Sequence, residues 1–413
     1  MTISHIPSEL TLGQLPGDLS IGPPTKPTTR QEFLPFCPPT IGEEEIAEVV
    51  DTLRSSWITT GPKAKRFEAD FASYLAAPGA VALSSCTAAL HTALVTAGIG
   101  PGDEVITTPL TFAASVNVVE HVGARPVLVD VEPDTLNIDP RRVAAAITDR
   151  TRAIIPVHFA GHPVDLDPIR RLAELHRLVV IEDAAHAMSA KYKGQYIGAG
   201  PNPVAFSFYA TKNLTTAEGG MLTGDPAFLD RARLVALHGM SRDGWKRYDK
   251  GGSWFYEVLL PGFKYNMTDI QAALGLWQLR KLAGFQERRR DLARMYNSVF
   301  ACEESLEVPV TRNDVEHAWH IYVLRLRPGT LRIGRDEFIE ELKQRNIGTS
   351  VHFIPIHVHP YYRDKYGYAA NRFPVAYGNY NRMLSLPLNP RLSDEDAGDV
   401  MQAVLDVVRI HRR

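Results

Sequence analysis

Between residues 80 and 225, short β-rich apolar runs alternate with stretches whose apolar positions recur every three or four residues. Ala80–Leu83, Glu104–Thr107, Pro126–Val131, Ala153–His158 and Val179–Glu182 have the length and composition of strands. The stretches Thr87–Ala97, Phe112–Val122 and Asp165–His176 carry the helical period instead. Val204–Tyr209 and Gly220–Leu222 offer two more strands. This alternation predicts an α/β fold, a mostly parallel central sheet with helices on both faces.

Near residue 267 the pattern changes. Met267–Leu282 reads as a long amphipathic helix that continues past Arg290 and bridges to a second unit. His320–Leu326 reads as a strand, and Arg335–Arg345 and Ser393–Arg409 as helices. Ser393 is placed to cap the last of these, with Asp396 completing a capping box. The expected division is an N-terminal tail or arm over 1–35, a large domain over 36–275 and a smaller C-terminal α+β domain over 276–413. The alternative is one continuous α/β fold.

Composition narrows the class. The 413 residues are 45% hydrophobic and 22% charged, with a net charge of -2, as in ordinary globular proteins. Nothing in that balance suggests a nucleic-acid or membrane footprint. Cys37, Cys86 and Cys302 are too scattered for a metal cluster or disulfide framework, which fits a reducing compartment. No apolar run approaches the ~20 residues that span a bilayer. The opening stretch, with Gly22-Pro23-Pro24-Thr25-Lys26-Pro27, lacks the basic start and apolar core of a signal peptide. The expected location is the cytoplasm.

The chemistry centres on Lys212, in Ser207-Phe208-Tyr209-Ala210-Thr211-Lys212-Asn213, just before Glu218-Gly219-Gly220. Upstream, Val179-Val180-Ile181-Glu182-Asp183 is an apolar strand ending in acids. A lysine with a strand-end aspartate suits pyridoxal 5'-phosphate: the lysine binds the aldehyde, and the aspartate keeps the pyridine nitrogen protonated. To attack an aldehyde the lysine must lose its proton, so its pKa has to fall by desolvation or a nearby cation. Ser84-Ser85-Cys86-Thr87 lies between a strand and a helix and offers N–H groups and hydroxyls to a phosphate, although plain capping explains it equally well. Ser207 adds a hydroxyl. Phe112 follows another strand end and could stack on a ring or simply fill the core.

These segments, taken in order, resemble the DegT/DnrJ/EryC1/StrS family of sugar aminotransferases, within the aspartate aminotransferase-like fold type I of pyridoxal phosphate enzymes. The likeness runs from about Pro38 to the C-terminus. It includes Ser56-Trp57-Ile58-Thr59-Thr60-Gly61-Pro62, Cys86-Thr87-Ala88-Ala89-Leu90, Glu182-Asp183-Ala184-Ala185-His186-Ala187 and Ser207–Gly220. Further parts are Gly262-Phe263-Lys264-Tyr265-Asn266-Met267, His352-Phe353-Ile354-Pro355-Ile356-His357 and Leu384-Ser385-Leu386-Pro387-Leu388. The resemblance implies that Lys212 is the Schiff-base lysine and proton carrier, Asp183 the pyridine partner, His186 the neighbour of the ring oxygen and Phe112 the stacking aromatic. Cys86, Thr87 and Ser207 would cradle the phosphate. Asn266, with Lys264, would reach it across a homodimer interface that contains the active sites. Two positions depart from the common pattern: Cys86 stands where many relatives have Gly, and Lys264-Tyr265-Asn266-Met267 where many have Asn-Tyr-Arg-Met.

The implied reaction moves an amino group from L-glutamate to a nucleotide-linked keto-sugar. The Lys264–Met267 variant and the 352–362 run resemble the branch that aminates C4 of UDP-linked sugars. Candidate substrate contacts are Thr59, Lys264, His352, His357 and Tyr361, with Arg242, Trp245 and Arg247 from a neighbouring subunit. Alternatives are an aminotransferase for a cyclitol ketone and a non-catalytic homologue. A sugar dehydratase of the same fold carries histidine in place of the lysine, against Lys212. A dinucleotide-binding oxidoreductase would need a Gly-x-Gly-x-x-Gly after the first strand, which is absent.

Overall fold

The computed structural model describes residues 30–241 and 255–413. The central sheet is built from β1 (Ala80–Leu83), β2 (Glu104–Thr107), β3 (Arg125–Leu128), β4 (Thr151–Ile154), β5 (Val179–Val180) and β6 (Glu182–Asp183). A small hairpin, β7 (Lys191–Tyr192) and β8 (Gln195–Tyr196), precedes the last two strands, β9 (Val204–Ser207) and β10 (Gly220–Thr223). One group runs β3-β2-β4-β5 and the other β6-β9-β10-β1. They are continuous, because β5 and β6 lie on one strand line. Ile181 N donates to Ile154 O at 3.0 Å and Asp183 N to Pro156 O at 2.9 Å.

Every pairing in the first group is parallel, as is β6 with β9. Only β10 runs against its neighbours. The loop 208–219 that joins it to β9 holds no crossover helix, and a direct connection of that kind returns a strand antiparallel. That loop carries Lys212.

The helices that cover the sheet are α1 (Glu43–Arg54), α2 (Pro62–Leu75), α3 (Cys86–Thr96), α4 (Ala114–His121), α5 (Pro140–Ala146), α6 (Leu166–His176) and α7 (Pro226–Ala236). Alternate strand residues point to opposite faces. Val105, Ile181 and Ala205 pack among α3, α4 and α7. Ile106, Val180 and Phe206 pack with Phe67 and Phe71 of α2 and Ile169 of α6.

The long helix α8 (Asp269–Phe300) opens with Thr268 and Gln271 in a capping box. Its first turns give Ala272, Leu276, Leu279 and Leu282 to the sheet core. Its last turns give Leu292, Ala293, Tyr296 and Phe300 to a second core. The expected boundary at 275/276 thus falls inside one unbroken helix. The second core lies on the antiparallel sheet of β11 (Leu306–Glu307), β13 (Tyr322–Leu326) and β14 (Met383–Leu386). Strand β12 (Val315–Glu316) instead joins β7. Helices α9 (Arg335–Gln344), α10 (Pro360–Tyr366), α11 (Pro374–Tyr380) and α12 (Asp394–His411) complete this part. The capping box of α12 is the expected Ser393 and Asp396.

The inner end of the tail expected over 1–35 is packed on the fold. Leu34 is buried in the second core and exchanges backbone hydrogen bonds with Asn346 and Gly348, both at 2.8 Å. Arg30 pairs with Asp396 and Asp399. An apolar residue and an opposed charge pair hold 30–35 to the fold; residues 1–29 lie outside the described residues. Among the described residues no helix is long and apolar enough to cross a membrane.

Candidate active site

The C-terminal ends of β1, β2, β6 and β9 open on one cavity of about 500 Å³, the edge at which parallel sheets hold ligands. Its lining includes Ser85, Cys86, Thr87, Phe112, Asp183, His186, Ser207, Lys212, His320 and His352. Lys212 is half-buried because its amine faces this space. Burial lowers its pKa to about 8, while Cys86 and Asp183 pull it partly back up.

Asp183 is buried at the end of β6. Ser115 Oγ donates to it at 2.7 Å and Ala185 N at 3.0 Å. Thr111 Oγ1 lies 2.8 Å from Ser115 Oγ, extending the chain of hydroxyls. Among the described residues no cationic side chain stands within ion-pair distance of this carboxylate. A buried carboxylate without one is costly, so the arrangement suits a cationic ligand.

Three imidazoles complete the wall. His186 lies 4.4 Å from His320 between ring centroids and stacks on Phe353 at 5.5 Å. His352 meets Ser385 Oγ at 2.9 Å. Burial, followed by the neighbouring Lys212, drives His186 and His320 well below the usual histidine range, and His352 to about 4. All three are therefore neutral at pH 7. His186 Nδ1 is buried with no hydrogen-bond partner, which leaves it available to a bound group.

Ser85 caps α3 by accepting from Ala88 N at 3.0 Å. A helix leaves its first N–H groups unpaired, so those of Cys86 and Thr87 remain for an anion. The Cys86 thiol points away, 3.6 Å from Ala205 O and 4.0 Å from Asp183 Oδ1. Burial and then Asp183 push its pKa well up, which disfavours the reactive thiolate. Gly220 lets β10 pass beneath this helix start: a Cβ there would lie 2.4 Å from the Ser85 carbonyl carbon.

Of the residues singled out from sequence, Lys212, Asp183, His186, Cys86, Thr87, Phe112, Ser207 and His352 line this cavity. Thr59, Lys264 and Asn266 do not. Lys264 donates to Asn266 Oδ1, and Asn266 Nδ2 donates to Thr60 Oγ1, on the protein's outer face. Tyr361 is exposed beside Lys365. His357 is fully buried under α10 and α11, bonded to Ala370 O at 2.9 Å and packed on Phe373, so it is a packing residue in this chain. Arg242, Trp245 and Arg247 lie outside the described residues. The sequence reading missed Ser115 and His320. Ser115 left a trace, a hydroxyl one turn after Thr111 on a buried helix face; His320 left none.

A half-buried lysine and a buried carboxylate at the edge of this sheet fit a pyridoxal phosphate-dependent aminotransferase, the class that the comparisons show. The chain belongs to the DegT/DnrJ/EryC1/StrS aminotransferase family, whose model matches residues 39–405. It is 52% identical to the spore coat polysaccharide biosynthesis protein SpsC of Bacillus subtilis over 92% of this chain and 98% of that one. A sugar aminotransferase of Streptococcus pneumoniae, solved in its PMP form, superposes with a TM-score of 0.86 at 37% identity, covering 91% of this chain and 99% of its own. PseC of Helicobacter pylori, an aminotransferase in pseudoaminic acid biosynthesis, gives 0.84 at 27% identity over 92% and 100%. The Streptococcus pneumoniae relative is solved in both PLP and PMP forms, and with the family it establishes the cofactor.

Proposed function

We propose that the protein transfers an amino group from L-glutamate to a nucleotide-linked keto-sugar, a 4-keto-hexose or pentose on UDP, in amino-sugar biosynthesis. The observation that carries the reading is the depressed amine of Lys212 in the same cavity as the buried carboxylate of Asp183. Sugar chemistry is favoured by relatives described as acting in polysaccharide and pseudoaminic acid synthesis. The nucleotide and C4 rest on the Lys264–Met267 and 352–362 patterns.

Pyridoxal phosphate supplies a ring that takes up the electron pair left when a C–H bond beside the amine breaks. Asp183, braced by Ser115 and Ala185, would accept the pyridine N–H and hold that nitrogen charged. His186, with its free Nδ1, would meet the ring oxygen, and Phe112 would cover a ring face. The N–H groups of Cys86 and Thr87 and the Ser207 hydroxyl would bind the phosphate. Lys212 would carry the aldehyde, then, once displaced by the donor amine, remove a proton from one carbon and return it to another. His352 would meet the sugar at the mouth.

Thr59, Lys264 and Asn266 stand outside this chain's cavity, and we assign them to the site of a partner subunit. Support comes from the apolar residues exposed nearby: Ile46, Val50 and Leu53 on α1, then Trp57 and Ile58. In this reading the large domain is the sheet with its helices, and the small domain begins along α8.

The test is the holoenzyme with each substrate in turn. L-Glutamate should convert the bound cofactor from its aldehyde to its amine form, and a UDP-4-keto-sugar should restore the aldehyde with an amino-sugar product seen by mass spectrometry. If only a cyclitol ketone restores it, the sugar reading fails. If glutamate changes nothing, the donor is wrong.

A further inference from the structure

The orientation of Asn213, the residue after Lys212, is set by its surroundings. Its Nδ2 donates to Ala318 O at 2.8 Å and faces Gln286 Oε1 at 3.4 Å. Gln286 is itself oriented, since its Nε2 donates to His317 O at 3.3 Å. Both neighbours of Asn213 Nδ2 are acceptors, so Oδ1 must face the other way, 3.0 Å from His320 Nδ1. A carboxamide oxygen only accepts, and the imidazole proton therefore sits on Nδ1. His320 Nε2 is left with its lone pair, 3.5 Å from Lys212 Nζ, at the outer limit of a hydrogen bond.

The imidazole has little freedom to leave. Its main-chain N donates to Ala160 O at 3.1 Å, and its carbonyl accepts from Arg289 at 3.1 Å. The residue is 3% exposed, and its ring packs against His186.

The tautomer decides what the lysine can do. A neutral amine has two N–H bonds and one lone pair. An acceptor beside it engages an N–H and leaves the lone pair for the reacting carbon. A donor in the same place would capture the lone pair, and the amine could not act as a base.

We propose that Asn213 and His320 are a positioning pair for Lys212: Asn213 fixes the imidazole tautomer, and His320 Nε2 accepts an N–H of the Lys212 amine, keeping its lone pair free for proton transfer. This rests on Lys212 being the cofactor-bearing lysine. Neither residue needs to touch the cofactor or the sugar.

Two measurements test it. In cofactor-free protein labelled with ¹⁵N-histidine, the His320 signals, assigned by their loss in His320→Gln, should show a protonated Nδ1 and a bare Nε2 at neutral pH. A protonated Nε2 overturns the pair. In the holoenzyme, His320→Phe should lower kcat roughly tenfold to a hundredfold with KM values for both substrates unchanged. His320→Gln, which can offer a carbonyl oxygen to Lys212, should recover part of that loss. An unchanged kcat in His320→Phe overturns the proposal. Borohydride reduction and peptide mapping of the wild-type holoenzyme separates the two readings. Cofactor fixed elsewhere than on Lys212 removes the proposed function's lysine and the pair with it. Cofactor on Lys212 with a protonated Nε2 removes only the pair.

Discussion

Lys212 shares the cavity with the buried Asp183 carboxylate and three imidazoles, and burial governs the charge of the lysine and the imidazoles. Lys212→Ala is expected to abolish transamination while leaving the fold intact, as read by turnover and circular dichroism. The same burial has a stability consequence. The folded pKa of Lys212 lies at about 8, against 10.5 for an ordinary lysine. Between those values the unfolded chain holds more protons than the folded one, so cofactor-free protein should gain stability as pH rises through that window. Below it the penalty of the buried charge is present in full. Lys212→Met should therefore stabilise cofactor-free protein at pH 7, by on the order of 1–3 kcal/mol once the open side facing the cavity is allowed for. The advantage should vanish above about pH 10.5. Urea melts of both proteins across pH would read this, and parallel pH profiles would contradict it. Asp183→Asn removes the buried carboxylate that we propose holds the pyridine nitrogen charged. A loss in kcat of about a hundredfold or more is expected, and near-normal turnover would remove Asp183 from that role.

The elements that place these groups were legible to different degrees. Ala80–Leu83 and Glu104–Thr107 form the strands expected, because each is apolar on both faces and bounded by turn residues. Helix α1 went unread for a physical reason. Its buried residues are Glu45 and Thr52, while Ile46, Val50 and Leu53 face outward, so its apolar stripe does not point to its own core. The lone antiparallel strand β10 was legible only as a strand, since direction follows from the loop and not from the residues. Asp183 stood out at the end of an apolar strand, and Lys212 through its distinctive neighbours in the loop after β9. His320 was not, because its role depends on Asn213, Gln286 and Ala318 meeting across a wide sequence separation. Ser115 belongs to this scale too: the first turn of α4 delivers its hydroxyl to Asp183 at 2.7 Å. Ser115→Ala deletes a hydrogen bond to a buried charge, worth about 1.5–3 kcal/mol. The expected result is a kcat loss of roughly tenfold with the cofactor still bound, measured by steady-state kinetics and absorbance. An unaltered kcat would mean that the Ala185 N–H suffices.

For the whole molecule, α8 packs in both cores, and so ties the sheet side of the cavity to the side that carries His320, His352 and Phe353. What the single chain leaves open is its outer face. Val50 and Leu53 are 37% and 55% exposed on α1, and Trp57 and Ile58 continue the apolar surface. Thr59 follows directly in sequence, and the Asn266 amide bonds to Thr60 beside it. If a second copy covers this face, as we propose, burying a carboxylate there without a partner would be costly. Val50→Glu with Leu53→Glu should therefore split the dimer, seen as a halved mass by sedimentation. The side chains concerned are away from the sheet core, so the separated chains should keep their secondary structure. Activity should fall with the dimer and return as protein concentration is raised, because Lys264 and Asn266 would act only across the interface. A double variant that stays dimeric would place the interface elsewhere. One that is monomeric and fully active would instead show that each chain's cavity is complete by itself.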